Sequence, residues 1–327
     1  MTLNKESGLS LIELMVAMVL GLLVTGAIGT LFIQNKISYK QSDEIGYIQD
    51  NGRYALKALV NELEMVHFWG GYTDPALIKP EGTISLHSCQ PTTEASVTGR
   101  ADNGTATYSL MYYKQFAGAE AKFGCVAGDY KVSPVASDFL RTKRVKGEEF
   151  TGTHVAGQMY FRTDYSTIRH TYIAPQDMSA YPGKDWEYKE HLFYIDQNHQ
   201  LVRQTMIPGS SSTPSMRRDV LVEGIEYFHI VFGLDTDKDG FVDTHKSGNL
   251  TTDLRYAISA QVYVLARSKR AVDGYTNAKS YQLGDIYFPN ATDPSVATND
   301  GYYRRVFSTT AVLRNTYIVS RMAGGGY

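Results

Sequence analysis

Cysteine is nearly missing from this 327-residue chain, which has two, Cys89 and Cys125. Two thiols cannot build a four-thiolate zinc site or an iron–sulfur cluster, but they suffice for one disulfide. An excess of either charge is missing too. Lys and Arg number 32 against 34 Asp and Glu, for a net charge of -2, which argues against broad electrostatic binding to nucleic acid. No G-x-G-x-x-G, Walker A, G-x-S-x-G or H-E-x-x-H motif occurs, so the common nucleotide-binding, nucleophilic and zinc-hydrolase signatures are absent. The eight histidines are scattered, and His191 and His199 read as surface strand residues near a turn. A hydrolase tethered by an N-terminal helix is the one enzymatic alternative, and an activity screen would discriminate it. No internal period of 20–50 residues suggests a solenoid or propeller.

What is present is a globular composition, 43% hydrophobic and 20% charged, long enough for one large domain or two smaller ones. Tyr (24) and Phe (13) far outnumber Trp (2), which favours half-buried strands. The N-terminus is different. Leu9–Ile33 is an apolar run interrupted by a single charge, Glu13. As a helix it would extend about 38 Å, enough to cross a hydrocarbon core of ~30 Å with some tilt. Three readings compete: a secretory signal peptide cut near Ala27-Ile28-Gly29, a plain signal anchor, and a chain cut between Gly8 and Leu9 that keeps the run. Glu13 separates them, because a carboxylate inside an apolar helix costs roughly 2.5–3.5 kcal/mol even on the lenient insertion scale. After a cut at Gly8 it is the fifth residue of the mature chain, about one turn from a new α-amine, and can neutralise the amine of a neighbouring subunit.

Ser7-Gly8-Leu9-Ser10-Leu11-Ile12-Glu13-Leu14-Met15-Val16-Ala17 resembles the type IV prepilin processing site. The resemblance implies cleavage after Gly8 by a membrane prepilin peptidase, methylation of the new N-terminus at Leu9, and filament packing directed by Glu13. Leu9 stands where Phe is commonest, and the leader carries only Lys5 as a basic residue. Pseudopilins of type II secretion share the motif.

From Gln34 the run turns polar but keeps helical periodicity: Ile37, Ile45, Ile48, Leu56, Leu59, Leu63 and Val66 follow spacings of three and four, apart from two eight-residue gaps whose midpoints are Gln41 and Gly52. Gly46 and Gly52 weaken the helix by ~1 kcal/mol each relative to Ala, and suit a bend or close packing. The pattern stops at Trp69-Gly70-Gly71. Gln49-Asp50-Asn51-Gly52-Arg53-Tyr54-Ala55-Leu56, Glu62-Leu63 and Phe68-Trp69-Gly70 resemble the PilW branch of minor pilins. The expected division is a leader over 1–8, a transmembrane and assembly helix over 9–33, an amphipathic stalk helix over 34–69, and a β-rich head over 70–327. Expected strands are Thr83–His87, Thr107–Tyr113, Gln158–Arg162, His191–Ile195, Leu201–Ile207, Ile225–Phe232, Ile258–Ala266 and Arg305–Leu313, with a hairpin turn at Asp196–His199 and a loop at Pro208–Pro214. The last strand reads as core, and Tyr302–Asn315 also resembles the C-terminal end of PilW-like pilins. The fold class is therefore α+β: a long N-terminal helix with a mostly antiparallel, pilin-like head.

An exported head meets an oxidising compartment, where Cys89 and Cys125 are expected to bond. Closing a loop of about 36 residues adds ~3–4 kcal/mol by the chain-entropy model. Two independent buried thiols are the alternative. Asp235-Thr236-Asp237-Lys238-Asp239-Gly240-Phe241-Val242-Asp243 matches the front of an EF-hand-like Ca2+ loop, with Asp235, Asp237 and Asp239 offering carboxylates, Phe241 a carbonyl, and Asp243 a carboxylate that binds directly or through water. Lys246 stands where the closing Glu belongs, and an acidic hairpin tip is the alternative.

The resemblance implies a structural subunit and no enzyme: a minor pilin that primes a type IV pilus and sits at or near its tip. A large head over 70–327 is easier to place at a filament end than along a packed shaft. The partners implied are other minor pilins, the major pilin, an inner-membrane assembly platform and a tip adhesin. Motility, adhesion and DNA uptake are the processes. The chain would start as a single-pass inner-membrane protein with a periplasmic head and finish in the pilus. A minor pseudopilin of type II secretion is the runner-up.

N-terminal sequencing of the mature protein is expected to begin at Leu9, and Gly8→Val is expected to accumulate as unprocessed, membrane-retained precursor. A start at Thr30 would establish the ordinary signal peptide instead.

Overall fold

The computed structural model describes residues 10–70, 79–80, 110–113, 126, 138–164, 169–174, 178, 180–209, 215–248, 253–290 and 292–316. Two compact units are distinguished, Met1–Tyr47 and Ile48–Tyr327. The chain begins with one helix, α1, over Leu11–Glu64. Its strands among the described residues are β1 (Lys79–Pro80), β2 (Leu110–Tyr113), β3 (Phe139–Phe150), β4 (Met159–Thr163), β5 (Arg169–Ile173), β6 (Lys184–Ile195), β7 (Gln200–Ile207), β8 (Ser215–Glu223), β9 (Ile225–Leu234), β10 (Thr244–Lys246), β11 (Ala257–Arg267), β12 (Tyr281–Leu283), β13 (Ile286–Phe288) and β14 (Arg304–Val312).

In the first unit the helical residues from Leu11 to Ile33 are exposed along all faces, including Leu11, Leu14, Val19, Leu23, Ile28 and Phe32. A helix apolar all round has no polar face to turn to water. By length and composition this stretch can cross a membrane. Ile37 and Ile45, expected on the packed stripe, are also exposed.

In the second unit the helix does pack. Ile48, Gly52, Ala55, Leu59, Glu62 and Leu63 are its buried residues, at the three- and four-residue spacing of one helical face. They enter a core with Leu140 of β3, Phe193 and Ile195 of β6, Phe228, Ile230 and Phe232 of β9, and Ala260, Val262 and Val264 of β11. Period two explains the strand side: alternate residues of β9 and β11 face this core. Tyr227 and Leu265, on the other face, pack with Leu283, Ile286 and Phe288 of the β12–β13 hairpin.

Two sheets carry this core. The larger runs β1-β5-β4-β6-β3-β2, with β7 also on β6 and β8 on β7. One edge of β6 is thus shared, β4 pairing with Lys184–Glu187 and β7 with His191–Ile195. The smaller sheet runs β10-β9-β11-β14 and is antiparallel throughout. Among the described pairs only the two-residue β1–β5 pairing is parallel. The mostly antiparallel head and the long N-terminal helix match the expected class.

Several expectations need correction. The helix ends at Glu64, not near Phe68. Met65, Val66 and Phe68 donate to carbonyls three residues back, and His67 takes a left-handed φ of 64°. The apolar run Met65–Trp69 looks helical in sequence, but this turn carries Trp69 into a separate cluster with Met159, Phe161, Trp186 and Tyr188. Strand β14 is an edge strand, not a core strand. Among the described residues it pairs only with β11, and Ser308, Thr309, Thr310 and Val312 are exposed. His191 is buried, not at the surface. Strands β3, β5 and β8 were not expected, because charged residues break their apolar alternation: β3 reads FLRTKRVKGEEF and β8 reads SMRRDVLVE. Thr83–His87 lies outside the described residues. The β6–β7 turn at Asp196–His199 is where expected, closed by Asp196 Oδ1 accepting from the Asn198 and Gln200 amides at 2.9 Å each.

Gly52 shows why the helix tolerates a poor helix former. A Cβ there would lie 2.3 Å from Phe307 Cε2 of β14, so glycine lets the ring lie against the helix backbone. Gly52→Ala is expected to destabilise the chain by about 1–3 kcal/mol through overpacking. In a Phe307→Ala background the same change is expected to become neutral or stabilising by up to ~1 kcal/mol, as helix propensity re-emerges. Thermal or urea unfolding of the four proteins measures this.

Candidate functional site

Glu13 lies in the first turn of α1. The Ser10 amide donates to Glu13 Oε2 at 2.9 Å, and the Glu13 amide donates to Ser10 Oγ at 3.3 Å. This reciprocal pair is a capping box, satisfying two of the N–H groups that a helix start leaves without partners. A negative charge there also suits the positive end of the helix dipole. Glu13 therefore has a use within its own chain, which reading it only as an intersubunit partner overlooked. Gly8 and Leu9, the expected processing residues, lie outside the described residues, as do Cys89 and Cys125.

The acidic loop joins β9 to β10. Asp235, Asp237 and Asp239 bring one carboxylate oxygen each to within 4.8 Å of one another. Asp235 closes β9, is fully buried, and accepts the Gly240 amide on Oδ2 at 2.9 Å. Its Oδ1 is buried with no hydrogen-bond partner. The Asp239 amide donates to Asp237 Oδ1 at 3.1 Å, and the Phe241 amide to Asp239 Oδ1 at 2.8 Å. The chain winds tightly through left-handed residues at Lys238 (φ 69°) and Gly240 (φ 97°).

Asp243, which the sequence pattern offers as a ligand directly or through water, lies outside the group of three and fastens the loop. Its Oδ2 accepts from the Thr236 amide and hydroxyl at 2.7 Å each and from the Asp237 amide at 3.3 Å. Those bonds, Thr236 foremost, hold its carboxyl below the usual range. Asp237 moves the other way. The Asp239 amide lowers it, but loss of hydration and repulsion from Asp239, Asp243 and Asp235 outweigh that bond.

Two buried charge clusters escaped the sequence reading. Glu62 Oε1 accepts from the Thr142 hydroxyl and Arg144 Nε, at 2.9 Å each, and Oε2 accepts from Arg144 Nη2 at 3.2 Å. His191 Nδ1 lies 3.0 Å from Oε2. Burial alone would raise the Glu62 carboxyl, yet His191 and Arg144 hold it well below the ordinary range. A signal was present: Glu62 lies between Leu59 and Leu63 on the apolar stripe, where an unpaired carboxylate would be costly. The second cluster places His229 between two carboxylates. Its Nδ1 is 2.9 Å from Asp138 Oδ2 and its Nε2 is 2.7 Å from Asp285 Oδ1, while the Tyr227 hydroxyl donates to Asp138 Oδ1 at 2.6 Å. Burial pulls the imidazole down, but the two carboxylates prevail and raise it. Neither cluster could be read from spacing, because its members lie far apart in the chain.

Residues 192–315 match the model of the family described as Type IV Pilus-assembly protein W. Residues 3–29 match the prokaryotic N-terminal methylation motif. The first match runs from within β6 through β14, so it contains the smaller sheet and the acidic loop. Among solved structures, a type IV-like pilin from Thermus thermophilus is similar at 12% identity and a TM-score of 0.37, covering 85% of this chain and 98% of that one. No curated protein matches.

Glu62→Gln is expected to cost about 3 kcal/mol, because it leaves Arg144 beside a neutral group in a half-dry site. The sign of the pH effect follows from the lowered carboxyl. Its stabilisation is complete above an unfolded value near 4.5 and fades as pH falls toward the folded value. Unfolding midpoints between pH 6 and pH 3 are expected to fall more steeply for the native chain than for Glu62→Gln.

Proposed function

We propose that this chain, a PilW-like type IV pilin, serves as a structural minor pilin that helps start a type IV pilus and sits at or near its tip. The observation that carries the reading is the pairing of a prepilin motif over residues 3–29 with a helix that is apolar and exposed on every face from Leu11 to Ile33. Such a helix fits an inner-membrane anchored pilin that later enters a pilus, where neighbouring helices take the place of lipid.

Glu13 supplies the specificity. In the capping box its carboxylate accepts the Ser10 amide while its own amide donates to Ser10 Oγ, and its charge remains available to the methylated amine of an adjacent subunit once Gly8–Leu9 is cut. A single carboxylate in an otherwise apolar helix then favours the packing register that brings an amine to it, since leaving it unpaired costs a few kcal/mol in lipid. The prepilin motif implies dealings with the prepilin peptidase and with pilus components. We assign the specific partners as other minor pilins, the major pilin, the assembly platform and a tip adhesin. The head, residues 70–327, is taken as non-enzymatic, its buried charges serving to hold α1 and the sheets together. Cys89 and Cys125 are taken as a disulfide of the exported head.

One experiment tests the reading. The gene is deleted and complemented with the native sequence or with Glu13→Ala, and surface pili and secreted enzymes are both scored. Loss of pili restored only by the native sequence is expected, with the Glu13→Ala protein still inserted in the inner membrane. A secretion defect with normal pili would assign the chain to a type II secretion system instead.

A further inference from the structure

We infer that the β9–β10 loop is a divalent-cation site that takes calcium through Asp235, Asp237 and Asp239. The inference concerns the head and is independent of the role proposed for the N-terminal helix.

Asp235 carries the argument. Its side chain is 0% exposed, one oxygen is engaged by the Gly240 amide, and the other has no hydrogen-bond partner. Burying a carboxylate oxygen without a partner is costly, and proteins meet that cost with a donor, a counter-charge or a metal. No donor reaches Oδ1, and none of the three loop aspartates forms an ion pair among the described residues. Beside Asp235 stand the exposed Asp237 and Asp239, each with a carboxylate oxygen within 4.8 Å of one of the Asp235 oxygens, and a cation among the three turns their repulsion into attraction.

The donor set is all oxygen and triply negative, which selects hard divalent cations over thiophilic or imidazole-seeking metals. The three carboxylate oxygens lie within 4.8 Å of one another, close enough to share one ion. Calcium accepts the irregular, partly hydrated shell that a flexible loop of this kind offers, whereas magnesium demands near-ideal octahedral geometry. Water and a backbone carbonyl, with Phe241 at the position the sequence pattern names, would complete a calcium shell and leave a modest affinity. The ion would fasten the loop to the smaller sheet. The Asp235 amide donates to Tyr256 O at 2.8 Å, just before β11, and the Asp243 amide to Leu234 O at 2.9 Å. It would also fix the presentation of Phe241, which is 74% exposed.

The test uses the full-length chain in detergent, stripped with a chelator and titrated calorimetrically with calcium chloride and, separately, magnesium chloride. Saturable one-to-one calcium binding is expected with a dissociation constant on the order of 0.1–1 mM, together with a rise in melting temperature. Asp235→Asn is expected to abolish the isotherm. Because that residue is buried, the exposed double variant Asp237→Asn plus Asp239→Asn is the decisive companion. It should keep its fold in circular dichroism and lose at least about tenfold in affinity, since site charge sets calcium affinity. No saturable calcium heat up to about 10 mM, far above the range of extracellular calcium modules, would overturn the site. So would calcium binding by the double variant equal to that of the native chain. Magnesium binding as tight as calcium would overturn the calcium assignment.

Discussion

The main core of the head depends on the burial of one face of α1, from Ile48 to Leu63, among the inner faces of two sheets. Ala55, Leu59 and Leu63 are fully buried there, and each buried leucine contributes roughly 1.5–3 kcal/mol relative to exposure. The same core draws on β3, β6, β9 and β11, so the helix is a shared wall for strands that lie far apart in sequence. This contact dictates small details. Gly52 is glycine because Phe307 occupies the space where a side chain would stand, and Glu62 is tolerated only because Thr142, Arg144 and His191 surround it.

The head buries several charged side chains, and those among the described residues behave alike with one exception. Glu62 has Arg144, and Glu190 has Arg141 at 2.8 Å through Nε. Glu226 takes Arg304 Nη2 at 3.0 Å, and Asp138 has His229 and Tyr227. Each of these carboxylates meets a donor from a strand remote in sequence, so they fasten the sheets as much as they cost in desolvation. Among the described residues, Asp235 is the buried carboxylate that keeps an oxygen with neither donor nor counter-charge. Against that background the acidic loop is an exception to how this molecule treats buried carboxylates.

The helical residues before Ile48 obey different physics. Between Leu11 and Ile33 no side chain is buried, so stability there must come from lipid or from other helices, and the backbone must satisfy itself. Thr25 and Thr30 follow that rule, their hydroxyls returning to Gly21 O at 2.7 Å and Ala27 O at 2.8 Å. Ser10 and Glu13 follow it at the helix start. The single charge in the segment is therefore also a backbone cap, which lowers the cost of carrying it in an apolar surrounding.

The sequence by itself determined the features that rest on local pattern. These are the prepilin-like motif around Gly8 and Glu13, the apolar run to Ile33, the helical stripe through Leu59 and Leu63, the period-two strands from Ile225 and Ile258, the Asp196 turn, and the aspartate spacing of the 235–243 loop. Each is written within a few turns or one hairpin, where residue spacing maps directly onto geometry. Only the tertiary structure decided the rest. Charged β3 and β8 are strands because β6 and β7 offer them ladders, not because their own residues alternate. Asp243 fastens its loop because Thr236 and Asp237 present their amides to it. His191 went from surface to core because Glu62, 129 positions earlier in the numbering, lies beside it. In each case the deciding partner lies across a fold or a loop that no linear spacing encodes, and burial converts its proximity into a large energetic term.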